Sequence, residues 1–267
     1  MATKKQIKSV ETAKKTVKKR TKPVKVARKT VKKVSNKTVG PKAKFHDLTM
    51  EKLLELGAHF GHQSRRWDPK MEKYLWRNQS GVSVFDFEKT VVQLDKACEA
   101  LSKVAKEGKR IIFLGTKRQA RESIEKVGKS VPVAYVNERW LGGTITNWEQ
   151  MNKRIKRMVK MGEDKAQGAW DKYTKKERLL MDRERLKLQK MFGGVSKLEG
   201  PAEVLVVVDV RKERTAVREA KRKGVLVIGI VDSNASPGGI DIVIPMNDDS
   251  HKAVGAVIEA LGRVIKK

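Results

Sequence analysis

The sequence predicts an α/β protein: a Rossmann-like three-layer domain with a mostly parallel sheet, plus an inserted antiparallel helical (coiled-coil) hairpin. Three observations predict it. Short apolar runs at 111–114, 133–136, 204–208 and 225–231 have the length and β-branched content of strands buried on both faces. Stretches with helical spacing stand next to them at 88–107, 118–129, 212–223 and 249–265, and this alternation argues a parallel sheet with right-handed crossovers. The region 149–192 then breaks the pattern with no strand-like run at all.

Taken in order, residues 1–44 are low-complexity. Lys15-Thr16-Val17-Lys18-Lys19 recurs as Lys29-Thr30-Val31-Lys32-Lys33, and no aromatic precedes Phe45. Such a segment buries too little to offset its ordering entropy, so 1–44 reads as a disordered basic extension. The α/β domain spans 45–147 and 193–267, and the hairpin spans 148–192. A short helix is expected over 49–56, then two short strands at 74–76 and 82–85 around the turn-rich Asn78-Gln79-Ser80-Gly81. The strand at 133–136 leads into Asn137-Glu138-Arg139-Trp140-Leu141-Gly142-Gly143-Thr144-Ile145-Thr146-Asn147. There the glycines permit positive φ, and Thr146 or Asn147 offers a helix N-cap. In the hairpin, Trp148, Met151, Ile155 and Met158 recur at steps of three and four. A second helix begins near Thr174-Lys175-Lys176-Glu177, a capping-box spacing, and carries Leu179, Leu186 and Met191 toward a narrow apolar seam. A short strand at 242–244 precedes the last helix.

Charge narrows the function. The chain has 61 Lys+Arg against 31 Asp+Glu, a net +30. Residues 1–44 hold 17 basic and one acidic side chain, leaving 44 and 30 in the rest, so both parts are basic. The hairpin region 149–192 has 14 basic and seven acidic residues. A basic body with a basic arm points to a polyanion, with nucleic acid ahead of an anionic membrane surface. No stretch approaches the ~20 apolar residues that span a bilayer. The N-terminus lacks the apolar core of a signal peptide, and the one cysteine, Cys98, reads as a small buried hydrophobe. A reducing, cytoplasmic setting fits.

Candidate phosphate contacts are Arg65, Arg66, Lys70, Lys117, Arg118 and Arg139, with Lys153, Arg154 and Arg157 of the hairpin. Trp67 and Trp140 are available for stacking on an unpaired base. The alternatives stay open: Trp140 in the core with Arg139 solvated, and Arg65 to Lys70 as ordinary surface. His59 and His62 are three apart, but no third or fourth ligand stands near in sequence, so no metal is expected. Gly115-Thr116-Lys117 lacks the spacing of a phosphate loop. Asp209 and Asp232 end strands without an evident acid–base or metal partner, and read as caps. No catalytic residue and no cofactor are expected. A nucleotide-binding enzyme on the same fold and a lysine-rich DNA-compacting protein are the competing readings.

Several motifs resemble one family. They are Gly57-Ala58-His59-Phe60-Gly61-His62-Gln63, Trp67-Asp68-Pro69-Lys70-Met71, Glu88-Lys89-Thr90, and Phe113-Leu114-Gly115-Thr116-Lys117-Arg118-Gln119-Ala120. Asn137 through Asn147, Thr174-Lys175-Lys176-Glu177, Ile230-Val231-Asp232-Ser233-Asn234, Ile244-Pro245 and Asn247-Asp248-Asp249 complete them, in family order over roughly 47–265. Together they resemble bacterial small-subunit ribosomal protein two, the universal S-two family. The resemblance implies the same fold and hairpin, binding of small-subunit ribosomal RNA near the head–body junction, and contacts with neighbouring small-subunit proteins. Among these it implies docking of protein one, the messenger-binding protein. It implies no catalysis, no small-molecule substrate and no membrane, and says nothing of 1–44.

Overall fold

The computed structural model describes residues 45–266, and the extension expected to be disordered over 1–44 lies outside them. Helix α1 (Met50–Glu55) begins where the Thr49 side chain accepts from the Lys52 amide. Strands β1 (Phe60–Gln63), β2 (Leu75–Gln79) and β3 (Val82–Phe85) form a small antiparallel sheet in the order β1-β3-β2. β1 was not expected, because its sequence, Phe-Gly-His-Gln, has no apolar alternation. β2 also runs further than 74–76. Ser80 and Gly81 both take positive φ, 52° and 80°, so they close a two-residue hairpin turn and leave Asn78 and Gln79 paired in the strand.

The remaining elements are α2 (Phe87–Lys106), β4 (Ile111–Leu114), α3 (Arg118–Ser130), β5 (Ala134–Val136), α4 (Trp148–Ala166), α5 (Lys175–Phe192), β6 (Val204–Val208), α6 (Arg214–Lys223), β7 (Leu226–Val231), β8 (Ile242–Pro245) and α7 (His251–Lys266). β4 to β8 make one parallel sheet in the order β5-β4-β6-β7-β8. The period of two along each strand divides the core. Phe113, Val206, Ile228 and Ile244 face one layer with Leu94 and Leu101 of α2, Ile124 of α3 and Val257 and Leu261 of α7. Their neighbours Ile112, Leu114, Leu205, Val207 and Val227 face the other layer with Met71, Trp140, Ile155, Phe192, Ala216 and Ala220. This is the doubly wound arrangement the apolar runs predict.

Helices α4 and α5 stand between β5 and β6 in the chain. Arg157–Glu184 and Lys165–Asp182, each at 2.8 Å, hold them side by side. α4 buries Met151, Ile155, Met158 and Met161. α5 starts with the expected capping box between Thr174 and Glu177. Its seam differs from expectation, since Leu179 and Leu186 are 53 % and 50 % exposed. At 100° per residue these two share one side of α5, while Met181 and Leu188 occupy the opposite side, and that second pair is the one drawn inward.

The joint between sheet and helices depends on one buried side chain. Glu219 of α6 accepts from Trp140 Nε1 (3.2 Å) and the Gly143 amide (2.9 Å) at one oxygen. Its other oxygen accepts from the Ile145 amide (3.2 Å), the Thr146 amide (3.3 Å) and the Thr146 hydroxyl (3.2 Å). Of the two glycines expected to turn here, Gly143 alone takes positive φ, at 94°. The expected N-cap chemistry is also redirected. Thr146 spends its hydroxyl on Glu219, and Asn147 sits at the N-cap of α4 without a side-chain hydrogen bond. Removing the Glu219 carboxylate leaves several buried donors unmatched, at about 1–3 kcal/mol for a typical one. Glu219→Ala is therefore expected to lower unfolding free energy by roughly 3 kcal/mol or more in urea titrations, with Glu219→Gln intermediate. A loss for the alanine variant below about 1 kcal/mol would contradict this role.

Candidate nucleic-acid interface

In doubly wound sheets, small ligands sit beyond the carboxyl ends of the strands, where the chain reverses direction across the sheet. In this chain that reversal lies between β4 and β6, and its own side chains occupy the place. The Thr116 hydroxyl lies 2.5 Å from Glu213 Oε1, and Lys212 Nζ donates to the Thr116 carbonyl at 3.1 Å. Burial pushes the Glu213 carboxyl up, partly offset by Thr116 and Lys212. Asp209, at φ 61°, caps the following turn by accepting from the Lys212 amide.

Next to this lies a cluster that sequence spacing did not reveal. His62 Nδ1 is 3.1 Å from Asp232 and Nε2 is 3.5 Å from Asp249. Lys117 Nζ is 2.6 Å from both Asp248 and Asp249. Asp232 thus has the partner the sequence reading denied it, and His62 has nearby ligand-type neighbours. They come from the loops after β7 and β8, about 170 to 190 residues away in the chain. His59 does not join them. Its Nδ1 is buried and without a hydrogen-bond partner among the described residues. The donor atoms of His62, Asp232, Asp248 and Asp249 lie within 4.8 Å of one another. One imidazole and three carboxylates is a set that a divalent cation can use, and the Lys117 ammonium already supplies a positive charge there.

The same cluster joins the two sheets. The Ser233 hydroxyl accepts from the His62 amide at 2.8 Å, and the Ser233 carbonyl accepts from the Asp68 amide at 2.7 Å. A Cβ at Gly61 would lie 2.7 Å from the Ser233 hydroxyl and 3.0 Å from the Ser83 carbonyl, so only glycine lets β1 approach this closely. The Asp232 hydrogen bond holds the His62 imidazole above its usual value, against a smaller lowering from burial. Burial, reinforced by the charge of Asp232, pushes Asp248 up to about 7 despite Lys117. Burial would also raise Asp232, but its bonds to His62 and the Ser233 amide hold it below the usual carboxylate range.

The candidate contacts divide. Arg65, Arg66, Lys70, Arg118, Arg139, Lys153 and Arg154 are exposed, and Trp67 is half-buried. Trp140 is 8 % exposed with its indole N–H on Glu219, so its ring is not available for stacking. Lys117 is 16 % exposed and held between two carboxylates, which removes it from the free phosphate-binding cations. Arg157 is exposed but paired to Glu184. Cys98 is buried, and burial pushes its thiol up to about 12, in keeping with a packing role.

Two surfaces escaped the sequence reading. Trp76 of β2 is 63 % exposed with the Arg77 guanidinium 4.1 Å from its ring centre, and Phe60 of β1 is also exposed. The alternation of Leu75 with Trp76 beside a left-handed turn was the available signal. The second is the outward side of α6, where every exposed charged residue is basic. Composition placed it among ordinary helix surface, because Glu213 and Glu219 count as surface acids until their burial is known.

Fold and surface together define a class: an α/β scaffold whose ligand crest is filled from within and whose outer faces are cationic. The family model for ribosomal protein S2 matches residues 53–267, and the chain belongs to that family. It is similar to the small ribosomal subunit protein uS2 of Methylorubrum extorquens strain PA1, at 43 % identity over 225 residues, 81 % of this chain and 63 % of that protein. It is similar also to the uS2 protein of Jannaschia sp. strain CCS1, at 39 % identity over 217 residues, 81 % of this chain and 79 % of that one. The chain thus covers somewhat less than two thirds of the length of the Methylorubrum relative.

The charge cluster sets a pH dependence. Unfolded, an aspartate releases its proton near pH 4 and a histidine near 6.5. The folded chain keeps a proton on Asp248 to about 7 and on His62 above its ordinary value, so it binds more protons than the unfolded chain across that window. Stability therefore falls as pH rises, while Asp232 acts only below about pH 4, where its contribution is lost as pH falls. With chelator present, the melting midpoint should drop between about pH 5 and about pH 8. Asp248→Asn should remove the part of the drop below neutrality, and an unchanged slope in that variant would contradict the assignment.

Proposed function

We propose that this chain is a non-catalytic structural component of the small ribosomal subunit that binds its ribosomal RNA and helps dock the messenger-binding protein one. The observation that carries the reading is the division of charge. Acidic side chains at the strand ends and under α6 are consumed by internal bonds, while exposed cations cover the outside. Such a surface neutralises phosphates and releases counterions, and the folded shape sets the register. Membership of the ribosomal protein S2 family supports the subunit assignment. The relatives' names, small ribosomal subunit protein uS2, support it also.

The aromatic face of the small sheet supports a protein-docking role. Exposed Trp76 and Phe60 are the residue types that anchor protein interfaces. No helix among the described residues is long and apolar enough to cross a membrane. A ribosomal, cytoplasmic place is the reading that goes with RNA binding.

The nucleotide-enzyme alternative is opposed by the Thr116–Glu213–Lys212 contacts that fill the crest. In filter-binding assays the full chain should bind small-subunit ribosomal RNA and show no saturable binding of ATP or NAD. With six to ten phosphate contacts, affinity should fall about 10³- to 10⁵-fold between ~50 and ~200 mM salt. Tight nucleotide binding with salt-independent RNA binding would overturn the reading. A chain lacking 1–44 should retain specific RNA binding, whereas a DNA compactor would lose most of its binding. Trp76→Ala should weaken capture of purified protein one at least tenfold without changing RNA affinity, and unaltered capture would remove the docking role from this face.

A further inference from the structure

We propose that the outward side of α6 is a phosphate-binding ridge that lies along the sugar-phosphate backbone of double-helical RNA. The inference rests on the RNA-binding reading above and assigns it a surface. Residues 211–223 contain seven basic and two acidic side chains. Both acids point inward: Glu213 is buried against Thr116, and Glu219 is buried in the 140–146 loop. Lys212 is spent on the Thr116 carbonyl. The other six, Arg211, Arg214, Arg218, Lys221, Arg222 and Lys223, are all exposed, and none makes an ion pair among the described residues.

Their spacing makes a surface of them. At 100° per residue, Arg214, Arg218, Lys221 and Arg222 fall within about 100° of arc, and they extend over about 12 Å of helix. Arg214–Arg218 and Arg218–Arg222 are i,i+4 like-charge pairs, each unfavourable by a few tenths of a kcal/mol in the free helix. A polyanion along the ridge relieves that repulsion. Exposed glutamates would do so more simply, but this helix places its glutamates underneath.

The occupant follows from what the ridge lacks. Ala216, Val217 and Ala220 face the core, and no large apolar side chain of α6 is exposed. A helix that binds a membrane turns an apolar face to the lipid, and a protein interface has an apolar or aromatic centre. Neither is present. Guanidinium groups pair with phosphate through two parallel hydrogen bonds, and RNA duplexes are held chiefly through backbone and shape. The strip continues past Lys221, whose side chain lies beside Gly239. An open groove of about 420 Å³ borders that loop and is lined by Lys70, Lys73, Gly238 and Ile240. The acid on its rim, Asp241, is again bonded internally, to the Val227 amide at 2.8 Å.

The test compares the full chain with the triple variant Arg214→Gln, Arg218→Gln, Arg222→Gln, and with the charge-retaining Arg→Lys triple. Binding of purified small-subunit ribosomal RNA is followed by fluorescence anisotropy from ~50 to ~200 mM salt. The glutamine triple should fold with an unchanged circular dichroism spectrum. It should bind ~10-fold or more weakly at the lowest salt, with its log–log salt slope reduced by about 2 to 3. The lysine triple should keep most of the slope. A glutamine triple with the affinity and slope of the parent overturns the ridge while leaving RNA binding intact. A parent chain with no salt dependence overturns the RNA reading itself. Loss of contact with neighbouring subunit proteins at unchanged RNA affinity would overturn the ridge by reassigning it to an acidic protein surface.

Discussion

Glu219 is the contact on which the rest of the arrangement depends. One carboxylate beneath α6 gathers the indole of Trp140, three backbone amides and the Thr146 hydroxyl. A loop rich in glycine cannot hold a fixed path by packing alone, because it has few side chains to bury. An anion surrounded by donors in a low-dielectric site can hold it, since each unmatched donor would be costly. The path of that loop fixes where α4 leaves the sheet. It also turns the acid of α6 away from solvent, so a structural requirement and a surface property share one residue.

The same economy recurs at the strand ends. Glu213, Asp232 and Asp248 are buried and bonded to Thr116, His62 and Lys117 respectively. In an enzyme of this architecture those positions would face a substrate. In this chain they join the small antiparallel sheet to the large parallel one and neutralise each other. The outer surface is consequently more basic than the composition suggests, because part of the acidic count never reaches it. A fold suited to nucleotides becomes a rigid body suited to a polyanion.

Much of this was legible in the sequence. The runs 111–114 and 204–208 are strands to the residue, since an unbroken apolar run of that length between helical spacings has few other solutions. The Thr174–Glu177 capping box was equally plain, because its hydrogen bonds are local. The failures are all long-range. Trp140 read as a possible stacking residue because nothing local announces Glu219, 79 positions later. His62 seemed without ligands because its partners arrive from two other loops. β1 was missed because its pairing is set by β3 and by the close approach of Gly61 to Ser233. Leu179 and Leu186 have seam spacing, but spacing does not say which side of α5 meets α4.

The central claim is that a filled nucleotide fold with an outward cationic surface serves as a ribosomal scaffold. Sedimentation of the native protein from lysate through sucrose gradients, at low and at high salt, tests it most directly. The account predicts co-migration with small subunits at low salt and graded release as salt rises. Protein that stays at the top of the gradient at every salt, or that follows the nucleoid, would contradict it.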